Sequence, residues 1–173
     1  MSQSEIHHHP VLAAVTVVEE ALAEIADVDP VWMATGEKAQ ALLGVSTAID
    51  RLIELQLRLL ASADDAAAEE GARDAAAWLA QHGRRDRGEC RRRLRLARTL
   101  QLHAPTAEAL RDGRMCVAQA QAVVDAVDDL PIEVEPEVRG AAERRLVQEA
   151  ETFAPRQLRI LGRRVVDLSL IHI

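Results

Sequence analysis

The sequence is poor in aromatic residues, which make up 2% of its 173 residues and are limited to Trp32, Trp78 and Phe153. Tyrosine and asparagine are absent. So few rings exclude a base-stacking platform of the kind that binds single-stranded nucleic acids. The hydrophobic 49% of the chain must therefore build its core from Leu, Val and Ala, which favours closely packed helices.

Cysteines, targeting signals and long apolar runs are equally scarce. Cys90 and Cys116 fall at apolar positions and form no CxxC pair, which indicates buried thiols in a reducing compartment. The N-terminus lacks the charged region, apolar core and small-residue cleavage site of a signal peptide. No run of eighteen apolar residues occurs, so no membrane partner is expected. Together these absences predict a cytoplasmic protein.

The sequence shows no pattern typical of a catalytic, cofactor or metal site. His7, His8 and His9 are adjacent in a terminal segment, where such a run is more often without function. A glycine-rich phosphate loop and a Ser/His/Asp constellation are both missing. We therefore expect no catalytic residues, no cofactor and no metal in this chain.

Charge is distributed unevenly along the chain. The net charge is −7, yet residues 84–114 hold ten Arg against four acidic residues, which leaves +6 there and −13 elsewhere. Lys38 is the single lysine, and abundant Arg and Ala are typical of GC-rich coding, which explains much of the Arg count without any function. An acidic body with one basic segment is more informative than the total charge.

Helical periodicity with Pro and Gly punctuation predicts an all-α fold, a multi-helix bundle with a helix-turn-helix-like centre. Alternating apolar and polar runs are scarce, so no sheet is expected. The prediction divides the chain into a disordered N-terminus (1–10), a long-helix hairpin region (11–72), a helix-turn-helix-like region (73–130), C-terminal helices (131–167) and a non-native tail (168–173). Residues 64–71 are predicted as an acidic, Ala-rich connection.

Two long amphipathic helices are predicted at 11–27 and 35–63. The second carries an apolar stripe of Leu42, Val45, Ile49, Leu52, Ile53, Leu57 and Leu60. Such a stripe normally faces the core of its own domain, which is the favoured interpretation. The alternative is a homodimer formed through the long N-terminal helices.

The central stretch, residues 74–100, is predicted as a short helix, a turn at Gly83 and an Arg-rich helix with Asp86 as its N-cap. On a helical wheel, Cys90, Arg93, Leu94, Leu96, Ala97 and Leu100 share one arc, and Arg91, Arg92, Arg95 and Arg98 share the opposite arc. In a helix-turn-helix the second helix is docked by small apolar residues, here Ala80, Cys90 and Leu94.

Guanidinium groups on one face repel each other, and a polyanion would relieve that repulsion. We therefore predict contacts with duplex DNA through Arg84, Arg85, Arg87, Arg91, Arg92, Arg95 and Arg98. Two departures count against the motif: Gly83 falls one residue early for the turn glycine, and Arg85 takes a usually apolar position. The alternative is an Arg face that is merely solvated.

Residues 75–80 (AAAWLA) and 91–98 (RRRLRLAR) are similar to the actinobacterial domain of unknown function that precedes HNH endonuclease domains, called the thirteen-E-twelve repeat family in mycobacteria. The likeness continues through residues 105–107, 113–114 and 118–120 and covers about residues 11–166. More distantly, residues 79–80, Arg87, 94–96 and 113–114 resemble the helix-turn-helix region of ParB-type partition proteins. Cys116 departs from the family, which tends to have a capping Ser there, so the following helix start is expected to fray.

The resemblance implies that nuclease activity belongs to a downstream HNH module. This chain has no Asn, and His82, His103 and His172 form no His–Asn–His arrangement. Residues 168–173 (LSLIHI) are similar to translated sequencing-adaptor DNA, which would make the reading frame a truncated one; the alternative is an ordinary apolar strand or helix end. The expected function is a DNA-associating N-terminal domain of an HNH endonuclease-family protein, or alternatively a helical interaction or dimerisation module.

Overall fold

A computed structural model describes the backbone of residues 9–171 and the side chains of residues 9–165. The described residues form nine α-helices and a 3-10 turn, with no strand among them, which confirms the all-α multi-helix prediction. The chain divides into two compact units at Leu42/Leu43. The predicted disordered N-terminus lies outside the described residues except for His9 and Pro10.

The first unit contains α1 (Pro10–Glu24), a 3-10 turn (Pro30–Trp32) and the beginning of α2 (Thr35–Ser62). The α1 helix begins at Pro10 because proline suits the first helical position, and His9 Nδ1 accepts a hydrogen bond from the Val11 N–H at 3.2 Å. The Glu37 carboxylate accepts from the Ala34 N–H at 3.0 Å, which supports the start of α2. The predicted hairpin of these two helices stays a prediction.

The second unit contains the rest of α2 and seven further helices. Their bounds are α3 (Asp64–Glu69), α4 (Ala75–His82), α5 (Arg87–Leu100), α6 (Ala104–Arg111), α7 (Val117–Asp128), α8 (Pro136–Glu149) and α9 (Pro155–Ile171). Pro136 and Pro155 are the first residues of α8 and α9, a position that suits proline because its missing N–H would have no helical partner there. The backbone of α9 continues into the predicted tail as far as Ile171.

The α7 helix is at the centre of this unit, where it packs against α5, α6, α8 and α9. Its residues Ala120, Val123 and Val124 are at most 1% exposed. The closest approach is to α9, because a Cβ added at Gly162 would lie 2.5 Å from the Ala126 Cβ. The core is therefore aliphatic and built on short helix-to-helix distances, as the near absence of aromatic rings predicts.

Residues 64–71 are not the plain connection that the sequence analysis predicted. They form the six-residue α3, with Asp64 and Asp65 in its first turn and Ala67 buried. Carboxylates in a first turn interact favourably with the helix dipole, which offsets the shortness of this helix.

The apolar stripe of α2 is only partly a core face, so the favoured interpretation of that stripe is wrong for most of its length. Leu57 and Leu60 are buried, whereas Val45, Ile49 and Leu52 are 41–59% exposed. The opposite face of α2 provides the contacts: Asp50 Oδ1 accepts from the Val117 N–H at 3.0 Å. This bond, with the Gln119 side chain accepting from the Cys116 N–H at 2.8 Å, holds the start of α7 that was expected to fray.

Candidate nucleic-acid interface

The α4–turn–α5 segment is organised by two aspartate caps. Asp74 Oδ1 accepts from the Ala77 N–H at 2.8 Å and begins α4. Asp86 Oδ1 accepts from the Glu89 N–H at 2.7 Å and begins α5, which confirms the predicted N-cap. Each carboxylate satisfies a backbone donor that the first helical turn would otherwise leave unpaired. The two helices are thus separated by a turn of only four residues.

The left-handed residue of this turn is Arg84, with φ of 50°, and not Gly83, whose φ is −81°. The Arg85 N–H donates to the Ala80 carbonyl at 3.0 Å, and the Gly83 N–H donates to the Leu79 carbonyl at 2.9 Å. Gly83 remains restricted for a different reason, because a Cβ there would lie 2.7 Å from the Leu79 carbonyl oxygen. Gly83 therefore falls one residue before the left-handed position of this turn, and that position, which favours glycine, is occupied by Arg84.

The α5 helix is docked by the small apolar residues that the sequence predicts. Ala80, Cys90 and Leu94 are all buried, and α4 packs directly against α5. Trp78 is half-buried and stacks on His82 with ring centroids 4.7 Å apart. Docking through small side chains fixes which face of α5 is turned outward.

That outward surface is the basic face, defined here as the seven arginines predicted to contact DNA. All seven are exposed: Arg84, Arg85, Arg87, Arg91, Arg92, Arg95 and Arg98. In the part of the chain that the structure describes, six of them have no carboxylate within ion-pair distance, Arg98 being the exception. The nearby acids are otherwise engaged, because Asp86 caps α5 and Glu89 pairs with Arg93 at 2.6 Å.

Arg98 differs from the other six because it is paired within the chain. Its guanidinium lies 2.7 Å from Asp64 Oδ2, while Asp64 Oδ1 accepts from the Ala75 N–H at 3.1 Å. The Ala75 hydrogen bond, followed by the Arg98 contact, lowers the pKa of Asp64 below its ordinary value. The α3 helix thereby connects the start of α4 to the end of α5, a contact that no local pattern in the sequence indicates.

Arg93 does not belong to the basic face. It is half-buried, pairs with Glu89 in the preceding turn and donates to the Gln56 side-chain oxygen of α2. The helical wheel placed Arg93 on the apolar arc, and the structure places it there too. Its contacts with Glu89 and Gln56 offset the cost of burying a charged side chain at this position. Its role is to hold α5 against α2.

A buried polar cluster joins α6, α7 and α8. His103 is 6% exposed; its Nε2 lies 3.1 Å from Asp128 Oδ1, and its Nδ1 lies 3.3 Å from Glu143 Oε2. The Glu143 Oε1 atom accepts from the Thr106 hydroxyl at 2.6 Å and from the Thr106 N–H at 3.1 Å. The cluster therefore caps the start of α6 from a neighbouring helix.

The pKa shifts in this cluster follow from the contacts. The Glu143 carboxylate raises the pKa of His103, overcoming the opposing effect of burial, and Asp128 adds to the increase. Burial raises the pKa of Glu143, but the contact with His103 and the hydrogen bonds from Thr106 outweigh it, so the net pKa is lowered. The cluster is a structural connection between three helices, because His103, Thr106 and Glu143 are all buried.

The remaining chemistry of the described chain is limited. Among the described residues, no group of three or more His, Cys, Asp and Glu is placed to hold a metal ion. Cys90 and Cys116 are free thiols, buried and half-buried respectively. No described helix is long and apolar enough to span a membrane.

Comparison with known families identifies the domain. A family model described as "Domain of unknown function (DUF222)" matches residues 33–169, about four fifths of the chain. Neither the curated proteins nor the solved structures compared with the chain give a match. The match extends from the start of the α2 region into α9 and includes the whole basic face, which confirms the domain-of-unknown-function assignment. The chain therefore belongs to the DUF222 family.

Proposed function

We propose that this domain associates with duplex DNA through its basic face. The observation that carries the proposal is six exposed arginines that have no carboxylate partner among the described residues, gathered on α5 and its preceding turn in a chain whose net charge is −7. Bringing six guanidinium groups together is unfavourable unless an anion neutralises them. A duplex offers phosphates at regular spacing, and Arg suits bidentate contacts with phosphate and with guanine.

The local architecture supports the same proposal. A short helix, a four-residue turn and a second helix that faces outward are the parts of a helix-turn-helix reader. The likeness of residues 79–80, 94–96 and 113–114 to ParB-type proteins adds support by analogy. We further propose a cytoplasmic setting, which is favoured by the two free and covered thiols.

The test is fluorescence anisotropy with a random-sequence duplex over a range of salt concentrations. The triple variant R91A/R95A/R98A should bind more weakly, and each lost phosphate contact should lower the slope of log affinity against log salt by about 0.9. Because these side chains are exposed, the variant should keep its helical circular dichroism.

The matched control is R156A/R159A/R163A, which removes the same charge from exposed positions on α9. The proposal requires this control to retain most of the parent's affinity. Equal binding by both triple variants and the parent would show that the basic face is only a solvated surface.

We also propose that this domain serves an HNH endonuclease module in the complete protein, as the family resemblance implies, and that residues 1–173 bind without cutting. Purified 1–173 should leave supercoiled plasmid intact with magnesium, manganese or zinc. Nicking that a point substitution in this chain abolishes would refute the proposal. Sequencing of the genomic locus should reveal an HNH reading frame after the region of Asp167, and a genuine stop codon after Ile173 would contradict it.

A second function, homodimerisation through α2, is favoured by the two opposite faces of that helix. Asp50, Glu54 and Leu57 face the body of the second unit. Val45, Ile49, Leu52 and Leu59 lie on the other side, where they are 41–59% exposed. Val45, Ile49 and Leu52 are spaced by four and then three residues, as in a coiled-coil seam, and Leu59 follows Leu52 by seven residues. We propose that this seam pairs with the same seam of a second copy, which presents an identical repeat.

Sedimentation at increasing protein concentration tests the dimer. The parent should associate, and I49E should be monomeric because a carboxylate would be buried in an apolar seam. L102E is the matched control, since Leu102 is 84% exposed and lies outside α2. A parent that stays monomeric, or an I49E variant that associates like L102E, would refute the dimer while leaving DNA binding untouched.

A further inference from the structure

A cavity lies beside the basic face, between the start of α4 and the exposed side of α5. Its volume is about 400 Å³. The loop before α4, the α4 helix and the α5 helix all contribute to its wall, whose polar and charged residues are Arg73, Asp74, Gln81, Arg87 and Arg91. Two of these residues, Arg87 and Arg91, also belong to the basic face, so the cavity and that surface are continuous.

The wall of the cavity is positively charged. It contains three guanidinium groups, those of Arg73, Arg87 and Arg91, and a single carboxylate, that of Asp74. One oxygen of Asp74 accepts from the Ala77 N–H at 2.8 Å, and the other lies 3.9 Å from the Arg73 Nε. The side chain of Arg73 is 92% exposed, so this long contact leaves it available to a ligand. The excess of positive charge selects for an anion.

Small residues leave room for that anion. Four wall positions are glycine or alanine, and Gly71 adopts a φ of 70°, which favours glycine over any bulkier residue. A ligand can therefore approach the start of α4 while the longer Arg side chains of α5 reach it from the other side. Arg87 and Arg91 are four residues apart and so lie on the same side of α5.

We propose that this cavity binds a phosphate of the DNA backbone and that Arg73, absent from the sequence-derived contacts, is one of its ligands. The proposal rests on the proposed DNA binding and deepens it. A phosphate held at the start of α4 would fix how far α5 enters the groove, because phosphate contacts position a protein while base contacts specify sequence. Arg73 should accordingly contribute equally on every duplex sequence.

The experiment compares R73A, Q81E and R159A with the parent in the anisotropy assay on random duplex. Loss of one phosphate contact should lower the salt slope by about 0.9, which corresponds to about eightfold weaker binding at 0.1 M salt. Q81E adds a carboxylate to the wall at nearly constant size, and it should weaken binding as well. R159A removes an exposed α9 arginine and should bind like the parent.

The outcomes distinguish failure of the cavity proposal from failure of the proposed DNA binding on which it rests. If the parent does not bind duplex, the proposed function fails and the cavity proposal fails with it. If R91A/R95A/R98A weakens binding while R73A and Q81E match R159A, DNA binding stands and the cavity proposal is overturned.

A competition arm distinguishes backbone phosphate from free phosphate. Inorganic phosphate should displace the duplex from the parent no better than sulfate at equal ionic strength. Displacement that is specific for phosphate, and that R73A abolishes, would identify the cavity as a free-phosphate site and overturn its assignment to DNA.

Discussion

The buried cluster of His103 and Glu143 gives a prediction with a magnitude and a pH window. Replacing Glu143 by Gln keeps the size of the side chain but removes the charge that His103 faces at 3.3 Å. Both side chains are 7% exposed, so little solvent replaces the lost partner. Removing one member of a buried ion pair costs about 3–5 kcal/mol, and the amide's remaining hydrogen bond to Thr106 should place E143Q near the lower end.

The pH dependence follows from the directions of the two pKa shifts. The pKa of His103 is raised, so its contribution is full below the ordinary value of 6.5 and is lost as pH rises through the folded-state pKa. The pKa of Glu143 is lowered, so its contribution is present above 4.5 and is lost as pH falls through the folded-state pKa. The pair should therefore stabilise the protein most between about pH 4.5 and 6.5.

Urea unfolding followed by far-UV circular dichroism measures both effects. The parent should lose free energy of unfolding as pH is raised above 6.5, and E143Q should show a smaller loss over the same range. E149Q is a control, because Glu149 pairs with the exposed Arg145, its one ion-pair partner among the described residues. Parallel pH profiles for the parent and E143Q above pH 6.5 would refute the reasoning that Glu143 raises the pKa of His103.

Three further predictions concern the packing and the basic face. R84G should raise the free energy of unfolding by about 1 kcal/mol, because glycine removes the left-handed strain; an unchanged or lower value in urea unfolding would contradict this. G162V should lower the melting temperature, because even a Cβ at this position would lie 2.5 Å from the Ala126 Cβ and overpacking costs about 1–3 kcal/mol. An unchanged melting temperature would contradict this close approach of α7 and α9. R98A should weaken duplex binding less than R95A does, because Arg98 is already paired with a carboxylate of α3; the reverse order in anisotropy would show that this pair opens on DNA.

The sequence alone was sufficient to predict the positions of the long helices and several of the helix ends. Apolar spacing located the long helices, and prolines located the starts of α8 and α9. Asp86 was recognisable as a cap because its partner, the Glu89 N–H, lies three residues away. Each of these signals acts within one or two turns of the same helix, so no knowledge of distant segments is required. The docking of α5 through Cys90 and Leu94 was predictable for the same reason.

The tertiary structure decided which distant residues meet. Asp64 pairs with Arg98 across 34 positions of sequence, and Thr106 binds Glu143 across 37. Such pairs depend on how the helices pack, and no local periodicity encodes them. Likewise, the pattern of α2 showed an apolar stripe, but only packing decided that Leu57 is buried while Ile49 is exposed.

The candidate site likewise has residues that the sequence alone predicts and residues that only the tertiary structure brings together. The arginines of α5 were predictable as one exposed surface, because a helical wheel assigns residues to faces of a single helix. The place of Arg73 in the cavity was not predictable, since the loop before α4 reaches α5 only when α4 docks against it. Local rules of periodicity and capping thus determined the helices, while the packing of helices from separate parts of the chain determined the ion pairs, the cavity and the exposed seam.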